Sequence, residues 1–343
     1  MHYSRIFKSV ALVALLLLVA SPALAAHGHE ILPEDMSQSD KTMREITHTS
    51  AITATHTTLD LILDRNATLY GFDGNTAETG ASGGNGDVGV GIWASHGWMY
   101  MDRSGTQWSR GYMTTVTGGI DKKFGNAVIG VAVGGEWLRL NMSDSGRYRY
   151  DGFSLTSYFS YALMPTLVMD TAVGFGWQNN RQRTSYISWI DNQSHSMEKD
   201  YDSWRLFTAA GLSKYWSIDN WVISARLGAM YLHQDTPSYT MTGIDVLPFS
   251  NDTVDISRNR HDLFQLSLGG RVGYRFGNFN PFVGATYLQD VAKSGKQNDF
   301  SGADFQAGFN YRVGNVSLGL TGTYGIRYAF QKFGCMANIR LDF

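Results

Sequence analysis

His27-Gly28-His29 sets two imidazoles around a glycine, and behind a cleaved leader an amine, backbone amides and imidazole could wrap a square-planar copper or nickel ion. In a flexible exported tail such a pair is more often a plain polar segment, and no metal site is assigned. A serine nucleophile needs a base held within hydrogen-bond reach. The His-x-Ser run His48-Thr49-Ser50 falls on a stretch that reads as helix, which argues against that use. His261-Asp262 begins a strand near a long connection and could form an Asp-His pair, but clear acidic partners do not accompany it. No cofactor motif is present, and an enzyme is not expected.

A second set of residues carries charge at intervals that a strand would explain. Asp121, Asp170, Arg205, Arg226, Arg271 and Arg275 lie among many Gly, Ala and Ser, on the parity opposite to large apolar residues. Successive side chains of a strand point to opposite faces, so each charge shares a face with small residues and not with apolar ones. Such a face suits a wet interior, and the small residues leave room for an occupant. These six are the candidate lumen-facing residues.

The elements that must position them repeat with period two from Asp87 to the end. The final strand is the clearest: Phe343, Leu341, Ile339, Ala337, Cys335 and Phe333 share one parity, against Asp342, Arg340, Asn338, Met336 and Gly334 on the other. Cys335, the single cysteine, excludes an internal disulfide framework and reads as a small residue facing lipid. About twelve such segments are legible, among them Val88 to Ala94, Ala127 to Val133, Leu167 to Trp177 and Phe264 to Tyr274. Connections alternate in length. Those at Lys123 to Asn126, Leu163 to Thr166, Tyr215 to Asn220, Gly277 to Asn280 and Val313 to Asn315 are short. Those at Asn141 to Tyr150, Asn179 to Tyr201, Gln234 to Asn259 and Asp290 to Phe300 are long and polar. A membrane barrel sorts its turns and loops this way, and a soluble sandwich has no reason to. Trp93, Trp98 and Trp108 read as belt or rim residues.

Composition agrees with many strands and few packed helices: Gly is 38, aromatic residues 13%, Pro 6 and charged residues 17%. A net charge of -2 gives no reason to expect nucleic acid. Residues 1–25, with Arg5 and Lys8 ahead of the apolar run Val10 to Ala20 and Ala23-Leu24-Ala25 behind it, read as a secretory signal peptide. Residues 26–86 are polar, with a predicted helix at about 39–66 and a linker from Thr68 to Gly86. The helix carries 7 threonines between Thr42 and Thr58, poor material for an apolar core, so it is expected inside a polar lumen. The expected architecture is all-β: an antiparallel transmembrane barrel of about twelve strands over 87–343, with an N-terminal helix in its lumen.

The sequence from about Thr53 to Phe343 resembles the C-terminal β-domain of the autotransporter family. The resemblance rests on Thr57-Thr58-Leu59-Asp60-Leu61-Ile62-Leu63-Asp64-Arg65, Gly118-Gly119-Ile120-Asp121, Ile129-Gly130-Val131-Ala132-Val133-Gly134, Pro281 opening a strand and the Phe343 terminus. It implies a pore helix, insertion in the outer membrane by the barrel assembly machinery with periplasmic chaperones, contact with outer-membrane lipid, and a monomer. Phe343, Leu341 and Ile339 are the implied assembly signal. Little separates the cleavage site from the helix, so the expectation is a translocator-type barrel lacking a substantial passenger, with a structural or surface-display role. Only Asn66 stands where relatives that release a passenger cut at paired asparagines, so self-cleavage is not expected. The alternative is a small pore or adhesin binding ligand through its long loops. A barrel hydrolase of the outer-membrane phospholipase or omptin type is a weaker reading.

Overall fold

The computed structural model describes residues 50–59, 88–104, 108–142, 146–187, 194–243, 253–294, 301–327 and 330–343. The predicted signal peptide, His27-Gly28-His29, both ends of the predicted helix and the linker lie outside the described residues. Helix α1 covers residues 50–59. Strands follow as β1 (Val88–Arg103), β2 (Ser109–Phe124), β3 (Ala127–Met142), β4 (Arg147–Met164), β5 (Leu167–Ile187), β6 (Ser194–Ile218) and β7 (Trp221–Thr236). Then come β8 (Tyr239–Gly243), β9 (Thr253–Ile256), β10 (Asn259–Tyr274), β11 (Phe279–Lys293), β12 (Ser301–Val313), β13 (Val316–Arg327) and β14 (Phe330–Asp342).

The sheet order β5-β4-β3-β2-β1-β14-β13-β12-β11-β10-β7-β6, with β5 also paired to β6, is a closed antiparallel barrel. β8 and β9 form a hairpin attached to β6 at Met197↔Gly243 and Glu198↔Thr242, which leaves twelve barrel strands. Closure joins the first strand to the last, from Gly91↔Asp342 to Arg103↔Phe330. Beyond that ladder, Phe343 N donates to Val90 O at 2.9 Å and Val90 N to Phe343 O at 3.3 Å. The turns at one rim use the left-handed region, with Gly125 at φ 54°, Gly314 at φ 55° and Asp219 at φ 50°. That backbone matches the right-handed twist of the flanking strands, and glycine adopts it without a Cβ clash.

The strand register places most of the large apolar residues outward. Val133, Phe153, Leu227, Leu268 and Val283 are each more than half exposed, which in a membrane barrel is the lipid-facing band. Aromatic residues flank it. Trp216, Trp221, Phe276 and Phe279 stand near the turn rim, and Trp98, Tyr112, Trp137 and Trp177 near the loop rim. Within the turn-rim belt Trp221 meets Tyr274 edge to face at 4.9 Å, and Phe279 lies 5.1 Å from Phe309. Cys335 is exposed on this outer face.

Two expectations need correction. Trp93 is buried and points inward, because it sits on the parity opposite to exposed Ile92. Most of Asn179 to Tyr201, expected as a loop, is strand: β5 and β6 pair without interruption from Leu167↔Lys214 to Ile187↔Ser194. There the inward parity carries buried Asn180 and Gln182 and the outward parity exposed Arg181 and Arg183, so both faces are polar and the apolar alternation that marks a strand in sequence disappears while backbone pairing continues. The polar stretch Asn141 to Tyr150 shortens for the same reason, and Gln234 to Asn259 contains the β8–β9 hairpin.

Candidate functional site

The interior is built by the parity that carries small residues. Large inward side chains lie flat across glycines of neighbouring strands: the Arg340 guanidinium over Gly91, the Tyr158 ring over Gly130 and the Arg226 guanidinium over Gly211. A Cβ at any of these glycines would collide with the group above it, so they seat the charged side chains against the wall.

Seated this way, the charges pair. On β6, Arg205 donates to Glu136 of β3; both are buried, and Tyr150 Oη approaches Glu136 Oε2 at 3.5 Å. Arg226 on β7 grips Asp170 of β5 through two nitrogens at 2.6 and 2.7 Å and donates to Ser213 Oγ at 3.0 Å. Asp121 on β2 accepts from Tyr158 Oη at 2.9 Å and lies 3.5 Å from Arg340 Nη2, while Trp93 Nε1 donates to Tyr158 Oη at 3.1 Å. Arg271 donates to Gln306 Oε1 at 3.2 Å and lies 3.9 Å over the Phe282 ring. Arg275, after the end of β10, is half-buried near the turn rim. Asp121, Asp170 and Arg205 are buried; Arg226 and Arg271 are half-buried.

Other inward charges were not among the sequence candidates. Lys332 donates to Asp304 at 2.7 Å, Arg327 to Asp290 at 3.1 Å, and Arg340 to Asp342 at 2.5 Å. Their signal was present, since Lys332, Arg340 and Asp342 share the polar parity of β14. The charges of β11 to β13 required the same test on strands whose polar face is mostly Gly, Thr and Asn.

Helix α1 occupies this interior. Ser50 to Thr55 and Thr58 are buried, so the segment is surrounded and not laid on one wall. Ala51 and Ile52 join a cluster with Phe207, Met230, Leu232 and Leu263; Ala54 joins Met113, Leu138 and Tyr150 on the other side. Leu59 packs toward Trp93, Ala132, Tyr158 and Ala172, nearer the turn rim. Two threonines bond within the helix: Thr57 Oγ1 and Thr58 Oγ1 donate to the carbonyls of Thr53 and Ala54 at 2.9 and 3.1 Å, while Thr55 Oγ1 is buried without a partner among the described residues. His56 Nε2 donates to Gln265 Oε1 at 2.7 Å, and Gln265 Nε2 passes on to Asp290 at 2.6 Å. A cavity remains beside the helix, lined by His56, Thr57, Gly97, Thr115, Thr323 and Lys332, against the β1–β14 seam.

The hydrolase constellations do not assemble. His261 is buried on the inner face and contacts Asn259 at 2.8 Å, whereas Asp262 belongs to the outer face and accepts from Tyr231 and His233 at 2.7 and 2.8 Å. Adjacent strand residues point apart, so the expected pair cannot act as one. Ser50 lies on α1, buried, as anticipated for His48-Thr49-Ser50; His48 is outside the described residues. Among the described residues no group of three or more His, Cys, Asp or Glu could hold a metal ion.

A closed antiparallel barrel of twelve strands, apolar outside, ion-paired inside and filled by a helix, defines an outer-membrane-type translocator barrel. The profile of the autotransporter beta-domain family matches residues 89–326, and the chain belongs to that family. That match begins after α1 and ends before β14. The translocator domain of autotransporter NalP from Neisseria meningitidis is 12% identical, with a TM-score of 0.65 over 84% of this chain and 97% of that one. The beta domain of the Bordetella autotransporter BrkA is 15% identical, with a TM-score of 0.62 over 74% of this chain and 99% of that one. At such identities the likeness is one of fold. No curated protein matches the sequence.

Proposed function

We propose that this chain is an outer-membrane translocator-type barrel whose helix stays in the lumen as a plug, with a structural or surface-display role. The observation that carries the reading is the burial of α1 between two apolar clusters, with His56 tied to the wall through Gln265. Family membership and the exposed apolar band support the outer membrane as its location. In this reading the barrel carries no catalytic residue. The single-copy closure of the sheet supports a monomer, assembled by the barrel assembly machinery with periplasmic chaperones. Heat-modifiable migration on a gel and fractionation with the outer membrane are the expected behaviour; a soluble periplasmic product would overturn the location.

Conductance tests the plug. Full chain in a planar bilayer is expected to stay closed, and removal of residues 26–68 to open a stable channel. Free ion conduction by the intact barrel would instead favour a small pore. A ligand-binding adhesin has no specific observation in its favour.

A further inference from the structure

Above the loop-rim aromatic belt, the outer face of β3 to β5 carries a grid of arginines. The strand registers place Arg139↔Arg149 and Arg149↔Arg181 in one cross-strand row, and Arg147↔Arg183 in the next row up. Directly below, on the same parity, stand Trp137, Phe153, Leu155, Phe175 and Trp177, all exposed on the apolar surface. Like charges directly opposite in a ladder repel, so the grid needs anions. Some are internal: Asp151 pairs with Arg139 at 2.9 Å, Asp200 with Arg181 at 2.7 Å, and Glu198 lies 3.5 Å from Arg181. Asp202 accepts from Asn179 at 3.1 Å. Among the described residues that uses up the neighbouring acids and leaves Arg147, Arg149 and Arg183. All three are exposed; Arg183 reaches only Ser196 Oγ at 3.2 Å, and among the described residues Arg147 and Arg149 have no hydrogen bond or ion pair.

We propose that Arg147, Arg149 and Arg183 hold the phosphate groups of a phosphorylated outer-leaflet glycolipid, whose acyl chains lie on the apolar face below. The site rests on the outer-membrane reading. Guanidinium forks bind phosphate oxygens through paired charge-assisted hydrogen bonds. A belt of Trp residues sits at headgroup level, so the arginines just beyond it stand where lipid phosphates are. A soluble polyanion would satisfy the charges alone, whereas one lipid satisfies the arginine rows and the Phe153–Leu155–Phe175 surface together.

The test uses the full chain refolded in neutral detergent micelles, titrated with bisphosphorylated lipid A, dephosphorylated lipid A, inorganic phosphate and a short DNA duplex. Binding is read by native mass spectrometry and by the heat-modifiability midpoint. Wild type is expected to retain bisphosphorylated lipid A and to shift its midpoint upward, with no shift from the other three additives. Arg147→Ser/Arg149→Ser/Arg183→Ser should weaken that binding by about tenfold or more, since three charge-assisted contacts are lost together. If the triple variant does not refold, Arg149→Ser alone is expected to show a smaller loss in the same assay. Equal binding by wild type and variant, equal binding of the dephosphorylated lipid, or an equal shift with phosphate or DNA would each overturn the site. Fractionation of wild type separates the two ideas: outer-membrane recovery without lipid A binding removes the site alone, and absence from the outer membrane removes the reading beneath it.

Discussion

Arg205 of β6 and Glu136 of β3 form a buried ion pair across the inner wall, although β4 and β5 lie between their strands. Arg205 has two further guanidinium nitrogens with no partner, Nε and Nη1, so Glu136 is the counter-charge that keeps it tolerable. Breaking a buried pair from one side is therefore expected to cost more than replacing both members. Glu136→Gln should lower unfolding stability in detergent by about 3–5 kcal/mol, and Glu136→Leu/Arg205→Met by clearly less. Urea titration of the three proteins decides it, and a double variant as weak as the single would contradict the pairing.

Ala54 is buried on α1 beside the cluster of Met113, Leu138 and Tyr150. Overpacking such a site costs about 1–3 kcal/mol, which here can be relieved by moving the helix. Ala54→Phe is expected to leave the barrel folded by heat-modifiable migration while raising single-channel conductance. A closed channel in that variant would argue that the helix is not what blocks the lumen.

The lipid-facing band predicts a depth dependence. Leu268 stands well inside the band on β10 and Val313 at the turn rim, both more than half exposed. Leu268→Arg should cost about 2–4 kcal/mol and Val313→Arg about 0–1 kcal/mol when folding is measured into lipid vesicles. Equal costs would misplace the membrane.

Phe343 is exposed, while its backbone bonds to Val90 at the closing seam. Phe343→Ser keeps those backbone bonds and removes only the side chain. If Phe343, with Leu341 and Ile339, is the assembly signal, outer-membrane levels should fall sharply while refolding in detergent stays near normal. Parallel loss in both assays would assign the residue to stability.

At the hairpin above the membrane, Arg181 donates to Asp200 at 2.7 and 2.8 Å, beyond Trp177 and Trp204. That hydrogen bond holds the Asp200 carboxyl below its ordinary 3.8. A depressed carboxylate stabilises fully above 3.8 and loses its contribution as pH falls through its own lower value. Amide-exchange protection of the β5–β6 ladder around Arg181 and Asp200 should therefore drop on strong acidification in wild type, with the step absent in Asp200→Asn. Both side chains are about half exposed, so the effect is local and screened by salt.

The order of residues alone determines which way each strand side chain faces. Period two puts Leu268 and Ile339 outward and Asp121 and Arg226 inward, turn lengths sort the two rims, and a threonine-rich segment ill suited to an apolar core points to a lumen. Tertiary structure decided the rest, because barrel closure brings together strands far apart in the chain. Parity gives a face and no partner: Arg205 meets Glu136, and Arg340 meets Asp121, only once shear and closure set their heights. The same limit explains the hairpin of β5 and β6, expected as a loop, where polar residues on both faces erase the alternation. It explains His261 and Asp262 too, adjacent in sequence and held on opposite sides of the wall.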